Sequence, residues 1–192
     1  MFLNDWKKDI LNIPNLLSLL RLIMVPFYSI IYLNAKISFH YITAGIILLV
    51  SCLTDTIDGK IARKYNMETS LGRVLDPFAD KITQFVLIIC TSTRYSVLQY
   101  VLFIFLVKEC FQICVGLLNL SKGKILPGAI PAGKICTAVL FISMIILVIN
   151  PNISNAAVNV IAYTDVLFLI ISFAGYFVAY YGPNEKILDI ES

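Results

Sequence analysis

Four aspartates lie between positions 55 and 80 of a chain otherwise poor in charge, in D-T-I-D-G-K-I-A-R from Asp55 to Arg63 and D-P-F-A-D from Asp76 to Asp80. On a helix of 3.6 residues per turn, Asp55, Asp58, Gly59, Ala62 and Arg63 share one arc of about 140°. Gly72, Asp76 and Asp80 share a narrower arc on the helix that follows. Two adjacent antiparallel helices marked in this way would present two carboxylates each to a common centre. Charges at membrane depth cost at least a few kcal/mol each, so such a cluster calls for cations among the acids. Oxygen ligands in this number suit magnesium or manganese rather than zinc or copper. Two such ions can clamp a pyrophosphate and stabilise the entering and leaving oxygens of an in-line displacement.

The residues between the acids fit that chemistry. Gly59 and Ala62 are small where a bulky ligand must approach the backbone. Arg63 is permanently charged and suited to a phosphate. Gly72 relieves crowding between the two helices, and Pro77 removes one helical hydrogen bond directly after Asp76, which predicts a bend there.

These residues must be held by elements that cross a membrane. The chain is 59% hydrophobic and 14% charged, against about half and about a quarter in soluble globular domains. Mean hydropathy is +0.85. Uncharged or nearly uncharged runs long enough for the roughly 20 residues of a span predict an all-α membrane protein with six transmembrane helices near 15–34, 40–64, 70–93, 95–120, 126–149 and 156–181. With short connections, residues 1–192 read as a single membrane domain. Residues 1–13 read as a short amphipathic helix at the headgroup level, anchored by Trp6, Lys7 and Lys8, rather than as a signal peptide.

Lys7, Lys8, Lys60, Arg63, Lys64, Arg73, Lys122, Lys124, Lys134 and Lys186 fall on one side of this layout, and only Lys36 and Arg94 on the other. That asymmetry places both termini and the aspartates in the cytoplasm, at the cytoplasmic membrane. The net charge of +3 is modest, and no nucleic-acid partner is expected. The cysteines (Cys52, Cys90, Cys110, Cys114 and Cys136) lie in or near apolar segments without a C-x-x-C pair, and read as small packing residues.

The stretch 55–80 resembles the signature of the CDP-alcohol phosphotransferases, D-x-x-D-G-x-x-A-R-x8-G-x3-D-x3-D, and matches it at Asp55, Asp58, Gly59, Ala62, Arg63, Gly72, Asp76 and Asp80. The resemblance implies a phosphatidyl-type transfer from a CDP-linked donor to an alcohol, with release of CMP. It implies that Asp55, Asp58, Asp76 and Asp80 hold two metal ions, Mg²⁺ or Mn²⁺, and that Asp80 takes the proton of the attacking hydroxyl. Gly59, Arg63 and Thr69 match positions that contact the CDP group.

The flanks look like those of phosphatidylglycerophosphate synthases. Asn12 to Arg21 reads N-I-P-N-L-L-S-L-L-R, close to N-x-P-N-x-x-T-x-x-R, with Ser18 keeping the hydroxyl. Leu75 to Lys81 is similar to their L-D-P-x-A-D-K, and Gly133 to Thr137 to their G-K-x-K-T. The resemblance implies CDP-diacylglycerol as donor, with Asn15 and Ser18 beside it, sn-glycerol 3-phosphate as acceptor, membrane lipids as surroundings and a homodimer. Those synthases usually carry R-E and, seven residues later, arginine; here the positions hold Lys108, Glu109 and Gly116. Lys108, Lys124 and Lys134 are therefore the candidate cations for the acceptor phosphate, and phosphatidylglycerol, as in cardiolipin synthases, or inositol phosphate are the rival acceptors.

Several residues keep a plainer alternative. The aspartates on their own could be solvated loop acids, which the accompanying glycines, alanine and arginine argue against. Arg21 either snorkels to the interface or contacts the donor. Lys108 and Glu109 either satisfy each other within the membrane or bind acceptor. Asp165, near the outer end of the last helix, reads as solvated. A small divalent-cation transporter would instead spread its acids over several helices at different depths, whereas these sit at one level beside an arginine.

Overall fold

The computed structural model describes residues 13–64, 72–121, 124–125, 130–181 and 188–189, with the backbone alone for 13–14, 55–64, 73–74 and the two short strands. The described elements are α1 (Ile13–Leu33), α2 (Ser38–Lys64), α3 (Gly72–Ser92), α4 (Leu98–Ser121), β1 (Lys124–Ile125), α5 (Pro131–Ile149), α6 (Asn155–Tyr181) and β2 (Leu188–Asp189). Six helices thus occupy nearly all of the described chain. The segment 1–13 expected at the headgroup level lies, but for Ile13, outside the described residues.

Four of the helices (α1, α4, α5 and α6) are long and apolar enough to cross a membrane. In α2 the apolar stretch is Ser38–Thr54, directly before the first aspartate pair. In α3 the first half carries Arg73, Asp76, Asp80 and Lys81 and the second half is apolar. Only 22% to 39% of the apolar window in each of the four long helices is buried by protein. Leu16, Ile23, Phe27, Phe103, Leu117, Val160 and Phe177 point outward from them, as helices surrounded by lipid require. The protein is a multi-pass membrane protein.

Local chemistry sets the helix ends. The side-chain amide of Asn34 donates to the Ile30 carbonyl at 2.8 Å and its backbone N–H does so at 3.2 Å, closing the last turn of α1. Ser154 caps α6, its hydroxyl accepting from the Ala157 N–H at 3.3 Å. Helix α5 starts at Pro131 rather than near 126. Proline is favoured at a first helical position, where its missing N–H costs nothing.

The chain divides into two compact units, one from the residues up to Thr91 with Ile145–Asn152, the other from Ser92–Met144 with the residues from Ile153 onward. In the first, α1 and α2 pack along their lengths, with Tyr28, Tyr32 and Tyr41 in ring contact at 5.7 and 5.6 Å. Gly45 permits close approach of α2 to the end of α5, because a Cβ at that position would lie 2.4 Å from Cγ1 of Ile149.

In the second unit α4 packs on α6 through Phe111 against Phe173 and Phe177 and through Val115, Tyr176 and Tyr180. Helices α5 and α6 meet at small residues. A Cβ on Gly133 would lie 2.8 Å from the Tyr176 hydroxyl, and one on Gly175 would lie 3.0 Å from Ile130 Cδ1. Close backbone approach at small residues is the usual way helices associate where lipid removes the hydrophobic drive. Strands β1 and β2 pair antiparallel, Lys124 opposite Asp189 and Ile125 opposite Leu188.

One expectation is corrected. Asp165 is fully buried, not solvated, and accepts a hydrogen bond from the Ser143 hydroxyl at 2.7 Å. It sits within α6, where the neighbouring helix α5 covers it. The β1–β2 ladder adds a strand pair to an otherwise helical reading; two residues per strand are too few for an alternation to register in sequence.

Candidate active site

Helix α1 is mostly apolar, and its first half carries a line of polar residues at Asn15, Ser18 and Arg21, spaced i, i+3, i+6. That spacing keeps all three within about 120° of one face. All three are buried, Arg21 at 2% exposure. A guanidinium stays charged under all ordinary conditions, so one placed inside a protein needs an anion.

The anion is on α3. The Arg21 Nη1 lies 2.6 Å from Asp80 Oδ1. One turn away, the Ser18 hydroxyl donates to Asp76 Oδ1 at 2.5 Å. The register matches: Ser18 and Arg21 are three apart on α1, Asp76 and Asp80 four apart on α3, and each pair spans about one turn. The structure therefore joins the N-x-P-N-type segment to the second half of the aspartate signature, although 58 and 59 residues separate the paired positions.

The burial of these groups is graded. Asp76 and Asp80 are partly exposed, Asp80 at 32%, while the residues behind them are buried. Ala79, between the two acids, is fully buried, and the helix runs on through Pro77 without interruption. Gly72, at the start of α3, is also buried. The two carboxylates thus each rest an oxygen on a protein donor while remaining partly exposed.

The first aspartate pair lies on α2, with Asp55 and Asp58 one turn apart in the helical backbone together with Gly59, Ala62 and Arg63. The side chains of these residues, and Thr69 altogether, lie outside the described residues. Among the described residues no three acidic, histidine or cysteine side chains cluster. The donor set nevertheless fits a hard divalent ion. Asp76 and Asp80 offer carboxylate oxygens within one turn, both reachable from outside and both oriented by hydrogen-bond donors.

The candidate acceptor residues belong to the second unit. Lys108 is buried at 3%, its Nζ 2.8 Å from Glu109 Oε1 and 5.7 Å from the centre of the Tyr176 ring. Gly116, where the similar synthases usually carry arginine, faces the Tyr180 hydroxyl, 3.8 Å from where a Cβ would stand. Lys134 is exposed at the start of α5, and the side chain of Lys124 lies outside the described residues. Cys90 and Cys136 are buried, Cys52 is half-buried, Cys110 and Cys114 are exposed on an apolar helix, and none of the five forms a disulfide.

In sequence Arg21 reads as a snorkelling or donor-binding residue, and its ion pair with Asp80 emerges only from the fold. The available signal was the i, i+3, i+6 polar line on an apolar helix, which marks a protein-facing stripe without naming what it faces.

Comparison with known proteins agrees with the geometry. The family model for CDP-alcohol phosphatidyltransferases matches residues 11–174. The chain is similar to a CDP-diacylglycerol–glycerol-3-phosphate 3-phosphatidyltransferase of Aquifex aeolicus, with 32% identity over 173 residues, covering 86% of this chain and 94% of the relative. Enzymes of the same name from Escherichia coli (strain K12) and from Shigella flexneri serotype 5b each match at 34% over 84 residues, 44% of this chain and 46% of theirs. Members of this family generally use divalent metal ions. The α1 stripe, the two helices of aspartates and the match over most of the chain together place this protein in the CDP-alcohol phosphatidyltransferase family.

Proposed function

We propose that this protein transfers the phosphatidyl group of CDP-diacylglycerol to the hydroxyl of sn-glycerol 3-phosphate, giving phosphatidylglycerophosphate and CMP. The observation that carries the reading is the pairing of Ser18 and Arg21 with Asp76 and Asp80, which unites the synthase-like opening of the chain with the signature carboxylates. The name of the Aquifex relative, similar over nearly its full length, supports the same acceptor.

In this reading residues 1–192 work as one membrane domain of six transmembrane helices, with residues 1–13 along the interface and both termini and the active site cytoplasmic. The donor's acyl chains lie in lipid. Its cytidine and phosphates rest against Gly59, Arg63 and Thr69, with Asn15 and Ser18 at the edge. Because the Ser18 hydroxyl is engaged by Asp76, its influence on the donor runs through that carboxylate. Lys108, Lys124 and Lys134 attract the acceptor phosphate, and a homodimer is the working assembly.

Asp55, Asp58, Asp76 and Asp80 would hold two Mg²⁺ or Mn²⁺ ions. Such ions, when bound, neutralise the pyrophosphate and stabilise the entering and leaving oxygens. The chain's own residues do the rest. Arg63 pairs with phosphate, and Asp80 accepts the proton of the acceptor hydroxyl. The new O–P bond forms at the β-phosphorus as the bond to CMP breaks, and CMP departs with the electron pair.

The test is CMP release by the purified protein in detergent with CDP-diacylglycerol and Mg²⁺, offering glycerol 3-phosphate, phosphatidylglycerol, inositol phosphate and serine separately. Release with glycerol 3-phosphate that EDTA abolishes is the expected result. Release only with another acceptor would retain the chemistry and replace the acceptor. Release with none of the four acceptors would overturn the reading.

A further inference from the structure

We propose that Arg21 is a positioning residue that fixes the Asp80 carboxylate from behind, acting on the reaction through Asp80 and not through the substrate. The inference rests on the reading of Asp80 as the proton acceptor. It starts from an asymmetry in the pair: the arginine is 2% exposed and the aspartate 32%. A snorkelling arginine places its head in water, and one that grips a substrate phosphate presents its head to the open side. Arg21 does neither, since its guanidinium is buried while the carboxylate it holds is partly exposed, with Nη1 2.6 Å from Oδ1.

The planar fork makes the arrangement directional. A guanidinium delocalises its charge over fixed donor positions, whereas an ammonium is a rotatable point charge. With Oδ1 held, the rotation of the Asp80 side chain is restricted and its exposed edge is kept toward the open side. Ser18 repeats the device one turn earlier on Asp76, at 2.5 Å. Helix α1 thereby acts as a rail that orients both carboxylates of α3. A proton acceptor must sit within hydrogen-bond reach of the attacking hydroxyl, so slack at Asp80 would appear in the chemical step and leave donor binding nearly intact.

The experiment compares Arg21→Met, Arg21→Lys and Asp80→Asn in the purified full chain. It reads kcat and KM for both substrates, calorimetric binding of CDP in Mg²⁺, and thermal unfolding. Arg21→Met should lower kcat by about 100-fold, the scale of a misplacement of about 1 Å. The KM for CDP-diacylglycerol and the affinity for CDP should stay within about 3-fold, as expected for a loss confined to the transition state. Arg21→Lys, which keeps the charge and should fold even if Arg21→Met does not, should recover only part of the rate. The double variant Arg21→Met/Asp80→Asn should unfold at a higher temperature than Arg21→Met alone, because the buried methionine then faces a neutral amide in place of a charged carboxylate.

Full kcat in Arg21→Lys and Arg21→Met beside an inactive Asp80→Asn would overturn the positioning role alone. A loss of CDP affinity equal to the loss of kcat would overturn it in favour of a direct donor contact. Turnover retained in Asp80→Asn would overturn the proton-acceptor reading, and the positioning role with it.

Discussion

Ser143 on α5 and Asp165 on α6 are joined by a 2.7 Å hydrogen bond in a fully buried setting, and the second carboxyl oxygen of Asp165 finds no donor among the described residues. The bond fixes the axial and rotational setting of two otherwise apolar helices, where slippage would cost a dispersion-packed interface little. Asp165→Asn keeps an acceptor for Ser143 and should change the unfolding temperature in detergent only slightly. Ser143→Ala strips a buried acid of its donor and should cost about 1–3 kcal/mol. The double variant Ser143→Ala/Asp165→Leu should lose less than the sum of the single changes, a coupling that a double-mutant cycle on thermal unfolding would measure.

Metal-dependent donor binding should depend steeply on Asp76 and mildly on Ser18. Asp76→Ala removes a proposed ligand and should abolish Mg²⁺-dependent CDP binding measured by calorimetry. Ser18→Ala leaves the carboxylate and removes only the hydroxyl that orients it. Loss of such an outer partner typically costs 10–100-fold in metal affinity, so a rise of about 10-fold in the Mg²⁺ needed for half-maximal CDP binding is expected. Unchanged binding in Asp76→Ala would break the metal assignment.

The lysines make separable predictions. Lys134 is exposed and its truncation should leave stability intact. Lys134→Ala should then raise the KM for glycerol 3-phosphate by several-fold while leaving that for CDP-diacylglycerol unchanged. Lys108 is buried against Glu109 and under the Tyr176 ring, so Lys108→Met should lower both acceptor affinity and the unfolding temperature. Equal effects on the two substrates would argue against acceptor binding at either position.

Packing at glycine gives a fourth prediction, free of any functional assumption. A Cβ on Gly45 would stand 2.4 Å from Ile149 Cγ1, an atom next to a branch point and unable to swing away cheaply. Gly45→Ala should therefore destabilise by about 1–3 kcal/mol, the range for overpacking. Combining it with Ile149→Ala should recover much of that loss, and thermal unfolding of the three variants would show it.

The sequence was most informative where one physical constraint dominated. Helix limits such as 13–33 against an expected 15–34, or 155–181 against 156–181, are legible because hydrocarbon thickness demands long uncharged runs. The aspartates were legible because their spacing repeats at helical intervals. What could not be read were partners across sequence. Nothing near Arg21 indicates that its counter-ion is Asp80, and nothing near Asp165 indicates that α5 covers it. Such pairings are set by which helix faces which, and an apolar helix hydrophobic on every side hides that information. The arginine that similar synthases carry at the position of Gly116 is a further case: the absence was visible in sequence, but the Tyr180 hydroxyl facing it was not.

The small ladder between β1 and β2 has a consequence for how the molecule is made. Lys124 and Ile125 leave α4 before α5 and α6 are synthesised, and their partners Asp189 and Leu188 follow α6. Closing so long a loop early would cost entropy with nothing yet to offset it, so the ladder can zip up only after the last helix has entered the bilayer. Pairing of this ladder would thus serve as a clock for biogenesis, absent while α6 is still being made and present once Leu188 and Asp189 lie beside Ile125 and Lys124.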